Sequence, residues 1–167
     1  KTSKIYGEME IMSWRNIDYF LKSNKHNKAI MIVRDIRDVL CSFKKNTIAP
    51  NNDYLISIFN VIDSMNYFVK YKEKYPNRFL GLRFENIKSQ PEKEIKKVCE
   101  FLDIKYNKNL LKSKNWIDDV GKPWKNNNVS SFYKSNHLQN PIDRWKKIIT
   151  KEDLFLCEWI GKKQMKK

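Results

Sequence analysis

Glycine and proline are scarce, at four and five residues in 167. That excludes collagen-like repeats and low-complexity linkers. The four glycines, Gly7, Gly81, Gly121 and Gly161, are too scattered to build a glycine-rich phosphate loop. Histidine occurs only at 26 and 137, and cysteine only at 41, 99 and 157. The cysteine spacing fits no metal motif, so no metal is expected. Each cysteine sits in an apolar, helix-like pattern, which predicts buried free thiols. Free thiols favour a reducing compartment, and a cytoplasmic location is the expectation. No apolar run approaches the roughly 18–20 residues of a membrane span. No signal-peptide pattern opens the chain. Its first residue is Lys1 rather than Met, which fits a start further upstream. Acid is also in short supply: 19 acidic residues face 34 basic ones, for a net charge of +15. Such an excess suits an anionic partner. A general richness in Lys and Asn would produce much of it, so only placed cations argue for a site.

What is present is a patterned globular chain. Hydrophobic residues make up 41% and aromatics 13%, enough for one domain with a core over residues 1–167. Trp14 to Leu21 reads as a short helix with Ser13 as N-cap. Ala29 to Val33, AIMIV, is a short continuous apolar run, the signature of a buried parallel strand. Arg37 to Lys45 has helical spacing, with Val39, Leu40 and Phe43 on one face. Asn52 to Tyr75 forms the longest amphipathic pattern, through Leu55, Ile58, Phe59, Ile62, Met65 and Val69. Asn52 or Asp53 is placed to cap it. FLGLRF, from Phe79 to Phe84, is the second strand, and Gly81 within it implies close packing. In SQPEKEIKKVCEFL, Ser89 and Glu92 suggest a capping box and Pro91 a first turn, with Ile95, Val98, Cys99 and Leu102 buried. Residues 105–149 are polar and irregular and hold three of the five tryptophans. Trp116 and Trp124 there are candidates for a lid, for a platform under an acceptor, or for simple anchors of the loop. Thr150 caps a final helix with Asp153 three residues on. Strands alternating with helices predict an α/β fold with a parallel sheet. Two strands are few for a free-standing sheet, so an incomplete one is expected.

Both strands end in arginine, at Arg34 and Arg83. Ligands of open parallel sheets bind beyond the carboxyl ends of the strands. After Arg34 the chain enters a helix, whose N-terminus favours an anion. Arg34 and Ser42 would then converge on one anion, a guanidinium fork and a hydroxyl. Asp35 or Asp38 would cap the helix or hold Arg37. The same spacing is met at least as well by a plain ion pair between Arg34 and Asp38.

VRDIRDVLCSF resembles the 3′-phosphate-binding motif of sulfotransferases that use 3′-phosphoadenosine 5′-phosphosulfate (PAPS). In that motif an Arg ends a strand and a Ser follows eight residues later, as Arg34 and Ser42 do. LRFENIKSQPEKEIKKVCEFLDI is similar to the family's R-Y-E-D-L strand end and the helix beyond it. PIDRWKK resembles a late segment with G-R-W-K. The likeness runs from about Gly7 to the C-terminus, with three motifs in the family's order. It implies a three-layer α/β/α, P-loop NTPase-like sulfotransferase fold with a parallel sheet, present here in part. It implies PAPS as donor, its product 3′-phosphoadenosine 5′-phosphate (PAP), and an acceptor bearing a hydroxyl or amine. By the same resemblance, Arg34 and Ser42 would take the 3′-phosphate, Phe84 would line the adenine pocket, and Arg144, Trp145 and Lys146 would approach the nucleotide.

The departures are specific. Ile36 stands where Pro is usual, Phe84 where Tyr is, Asn86 where Asp is, and Asp143 where Gly often precedes the Arg-Trp pair. YGEMEI has Met9 in place of a lysine found in many carbohydrate-type members. Glu8 and Glu10 are the candidate bases in that segment. His26 and His137 read as surface residues. The family's 5′-phosphosulfate loop would lie upstream of Lys1, so the 167 residues alone are expected to be inactive. Two other classes compete: a P-loop nucleotide kinase-like phosphotransferase, and a basic nucleic-acid-binding module. Against them, no G-x-x-x-x-G-K-[ST] and no zinc-finger, leucine-zipper or RNA-recognition signature is present.

Overall fold

The computed structural model describes residues 5–8, 13–46, 54–112, 115–117, 121–122 and 142–165. Glu10, Asn52, Asp53, Trp124 and His137 lie outside the described residues. A 3-10 turn, Trp14–Asn16, leads into α1 (Ile17–Ser23), then β1 (Ala29–Val33), α2 (Ile36–Asn46) and α3 (Tyr54–Lys74). There follow β2 (Phe79–Arg83), α4 (Phe84–Ser89), α5 (Pro91–Leu102), a 3-10 turn at Lys108–Leu111, α6 (Trp145–Ile148) and α7 (Lys151–Met165). β1 and β2 pair in parallel, with Ala29 opposite Phe79 and Val33 opposite Arg83. The fold is α/β with a parallel sheet, as the alternation of patterns predicts.

α3 packs across both strands. Alternation sends Phe79 and Gly81 to its side of the sheet. There Phe79 and Tyr71 pack with centroids 5.7 Å apart, beside Leu21, Ala29 and Met31. Gly81 is required by this approach: a Cβ there would run into the ring of Phe68. On the opposite face Leu82 is buried, whereas Ile30 and Ile32 of β1 are 38% and 56% exposed. A second cluster joins α2, α3 and α7 through Ile36, Leu40, Ile58 and Cys157. Gly161 of α7 faces Ile36, whose Cδ1 is 3.5 Å from where a Cβ would stand, an ordinary packing distance. All three cysteines are buried and free. Burial pushes the Cys157 thiol up to about 11, which keeps it protonated and inert.

Several local expectations fail for identifiable reasons. Ser13 makes no side-chain cap, because the Trp14–Asn16 turn intervenes before α1. Its backbone carbonyl instead accepts the Asn16 N–H. Phe43 is 43% exposed, although it shares a face with the buried Ile36 and Leu40; the apolar stripe of α2 outlasts the core. Phe59 is 57% exposed, and the fully buried ring of α3 is Tyr71, outside the stripe read from periodicity. Phe84 opens α4 rather than ending β2. The capping box of Ser89 and Glu92 does not form. Ser89 belongs to the last turn of α4, where its hydroxyl donates to the Glu85 carbonyl at 2.8 Å, and Gln90 is the N-cap of α5. The Thr150 cap does form: the Asp153 N–H donates to its Oγ1, and that hydroxyl donates to the Asp153 carboxylate.

Candidate functional site

The site grows out of the two strand ends. Parallel pairing in level register puts Arg83 opposite Val33, so Arg34 emerges one residue beyond it at the same end of the sheet. The Arg34 guanidinium lies over the ring of Phe84, 4.5 Å from its centroid. Such a stack holds a cation without consuming all of its donors. The second residue past each strand links the two ends: the Asp35 N–H donates to Glu85 Oε1 at 2.9 Å. Arg83 stays exposed, with its Nε 3.7 Å from Glu85 Oε2.

Asp35 starts α2. Its carbonyl accepts the Val39 N–H, and its Oδ1 accepts the Arg37 N–H at 2.8 Å, the geometry of a side-chain N-cap. The same carboxylate takes a forked contact from the Arg37 side chain, Nε at 3.0 Å and Nη2 at 2.6 Å. Burial alone pushes the Asp35 carboxyl upward. The Arg37 hydrogen bonds and charge, with the field of Arg83, outweigh it and hold the group below its ordinary value. The Arg37 guanidinium is also 4.0 Å from the centroid of the Trp145 ring, and its Nη1 lies 3.9 Å from Glu158 Oε1.

The opposite face of α2 from Ile36 and Leu40 carries Asp38 and, one turn on, Ser42. Asp38 is 1% exposed. Its carboxylate accepts the backbone N–H of Asp143 at 2.9 Å and of Trp145 at 3.1 Å. Asp143 has φ of 64°, in the left-handed region that favours glycine and that Asp tolerates better than most residues. That conformation explains why a glycine-like position is met here by aspartate. Lys146 is exposed and pairs with the Asp143 carboxylate at 2.8 Å. Arg144 Nε and Trp145 Nε1 are buried without a hydrogen-bond partner among the described residues.

The structure therefore sets two cation–ring pairs, Arg34 on Phe84 and Arg37 on Trp145, beside the start of α2, linked through Glu85 and Asp35, and fastens the turn bearing Arg144 and Lys146 to the helix bearing Ser42. Glu8 is exposed and makes no hydrogen bond or ion pair among the described residues. Trp116 is 46% exposed and donates to the Leu110 carbonyl at 2.9 Å. Among the described residues no cluster of three metal-ligating side chains occurs, and no helix is long and apolar enough to cross a membrane. Three participants escaped the sequence reading: Glu85 as the link between strand ends, Asp38 as the anchor of a distant turn, and the Arg37–Trp145 stack. A carboxylate that binds backbone amides 105 residues away leaves no local pattern to find.

Comparison with known proteins fits this arrangement. The chain resembles the sulfotransferase domain from the Synechococcus PCC 7002 olefin synthase, with a TM-score of 0.59 at 18% identity, over 90% of this chain and 55% of that one. At that identity the likeness speaks for the fold, and the chain spans about half the length of the neighbour. No curated protein sequence matches it. The family described as sulfotransferase domain matches residues 12–155, which take in both strands, α2 to α5 and the Arg-Trp-Lys turn, so the chain belongs to the sulfotransferase domain family.

Proposed function

We propose that the chain is the nucleotide-holding part of a sulfotransferase domain, partial over residues 1–167, which passes a sulfuryl group from PAPS to an acceptor hydroxyl or amine. The observation that supports the reading is that Asp38 fastens the 143–145 turn to α2, the helix that follows the end of β1. Arg34 follows the end of β1, Ser42 lies on α2, and Arg144 and Lys146 belong to the turn fastened to α2. Their donor chemistry suits a phosphate dianion: a guanidinium, a hydroxyl, and the buried Arg144 N–H that lacks a partner among the described residues.

The nucleotide supplies the activated sulfuryl group. In the transfer, the bond from sulfur to the nucleotide's bridging oxygen breaks as one to the acceptor oxygen or nitrogen forms, and the acceptor proton leaves to a base. This chain's part is to bind and orient. Arg34 and Ser42 hold the 3′-phosphate, and Phe84 keeps the Arg34 guanidinium in place while its edge borders the adenine pocket. Arg144 and Lys146 add positive charge, and Trp145 closes the side next to Arg37. Fixing the donor in this way lowers the entropic part of the barrier. Glu8 and Glu10 are the nearest acids in sequence to the acceptor side and are proposed as bases only by that position.

The test is binding of PAP to the full-length protein against adenosine 5′-phosphate and ATP, by calorimetry. A preference of at least tenfold for the 3′-phosphorylated nucleotide is expected. Equal binding of all three overturns the reading in favour of a general phosphate site, and preference for ATP favours a kinase-like activity.

A further inference from the structure

Asp38 is one of few charged side chains buried among the described residues, and the hydrogen bonds described for it come from backbone amides rather than from a cation. Burying a carboxylate demands compensating donors. Asp38 sits in the first turn of α2, yet the capping work there falls to Asp35. Its two oxygens are committed to separate amides instead: Oδ2 to Asp143 N–H and Oδ1 to Trp145 N–H. The backbone that presents them is left-handed at Asp143 and right-handed helical at Arg144, with φ −61° and ψ −28°. Successive residues of opposite hand form a concave nest of N–H groups that binds an anion. Asp38 is the anion of this nest, supplied from within the chain.

The nest lies directly beneath the Arg-Trp-Lys group. With both flanking amides tied to α2, Arg144 has little freedom to shift relative to that helix. The indole of Trp145 comes to rest on Arg37. Ser42 stands one turn along from Asp38 on the same side of α2. Asp38 thereby sets the distance between the cations of the turn and the hydroxyl of the helix.

We propose that Asp38 is a positioning residue for the nucleotide: it clasps the 143–145 turn to α2 so that Arg144 and Lys146 face the phosphate held by Arg34 and Ser42. This role rests on the nucleotide reading of the site. Asp38→Asn keeps the size but offers one acceptor where two are needed, and turns an N–H toward a backbone N–H. Two measurements on the full-length protein test it. Without nucleotide, amide hydrogen exchange at Asp143 and Trp145 is expected to quicken at least tenfold in Asp38→Asn, with exchange in α3 unchanged. With PAP, affinity is expected to fall about tenfold in Asp38→Asn. That loss should shrink below twofold when Arg144 and Lys146 are already alanine, and persist in full beside Arg34→Ala.

Wild-type PAP affinity in Asp38→Asn overturns the proposal and leaves the nucleotide reading intact. So does an equal loss in the Arg144→Ala/Lys146→Ala background, which marks general destabilisation. If the wild-type protein shows no preference for PAP, the nucleotide reading falls and this role falls with it. Unchanged amide exchange independently removes the clasp. Should Asp38→Asn not fold, Asp38→Glu takes its place under the same criteria, since it keeps charge and acceptors but displaces them by one methylene.

Discussion

The two strands end alike in sequence and differently in space. Each runs into an arginine at the same end of the sheet, Arg83 level with Val33 and Arg34 one residue beyond. Arg34 is half-buried over Phe84, and its chain passes into a helix capped by Asp35. Arg83 has a side chain 57% exposed, reaches Glu85 only at 3.7 Å, and leads into α4 without a side-chain cap. The difference lies in the residues just past each arginine. The end of β2 supplies parts to the end of β1: Phe84 lies under Arg34, and Glu85 holds the Asp35 amide. In the proposed reading one end is the binding position, and the other is its scaffold.

The comparison is broken most forcefully at Arg34. Arg34→Ala is expected to weaken PAP binding by about 1.5–3 kcal/mol, the range for hydrogen bonds to charged groups. Titration calorimetry reads it, and unchanged affinity would remove Arg34 from the site. On the scaffold strand, Gly81→Ala forces a Cβ into the ring of Phe68, and a stability loss of about 1–3 kcal/mol is expected in urea unfolding. A neutral result would mean that Phe68 swings aside at no cost.

Phe84→Leu keeps the bulk but removes the π face beneath Arg34. PAP affinity should fall by about 0.5–1 kcal/mol, while Arg34→Ala in that background should then cost correspondingly less. An additive result would separate ring and guanidinium.

Asp35 sharpens the comparison through pH. Its carboxyl is held below its ordinary 3.8, so its stabilisation is fully present above that value and is lost as pH falls through the lowered one. Asp35→Asn should therefore lower stability at neutral pH and flatten the acid slope below pH 3.8, as read by urea unfolding across that window. A parallel slope in both proteins would deny the Arg37 contact its role. The smallest effect is expected at Arg83→Ala, within about 0.5 kcal/mol in both stability and nucleotide binding, because an exposed, long contact contributes little. A loss as large as that of Arg34→Ala would abolish the distinction between the two ends.

Sequence alone reveals the elements of this fold better than their faces. AIMIV and FLGLR are legible as strands because each is a short, nearly unbroken apolar run, although Ile30 and Ile32 leave one face of β1 exposed. Pro91 and the Thr150–Asp153 pair are legible because capping acts over three residues. Phe59 and Tyr71 are not, since α3 is apolar on more than one side and only its neighbours decide which ring is covered. The candidate site divides in the same way. Arg34 and Ser42 lie within one strand–turn–helix and are visible as a spacing. Glu85 and Asp38 act across 50 residues and more, through backbone amides that carry no residue identity, and no local pattern encodes them.

The link between Asp38 and the 143–145 turn also orders events in time. Its hydrogen bonds join residues 105 and 107 positions apart, a separation that makes closure slow relative to helix formation. A chain growing from its N-terminus completes β1, α2 and β2 long before residue 145 is made. Throughout that interval a carboxylate destined for burial stands in water, and the arginine and serine half of the site exists without its cover. Synthesis of the segment from Asp143 onward is thus the step that covers the Asp38 carboxylate, and a product truncated before Asp143 would lose both the clasp and the α7 side of the second core cluster.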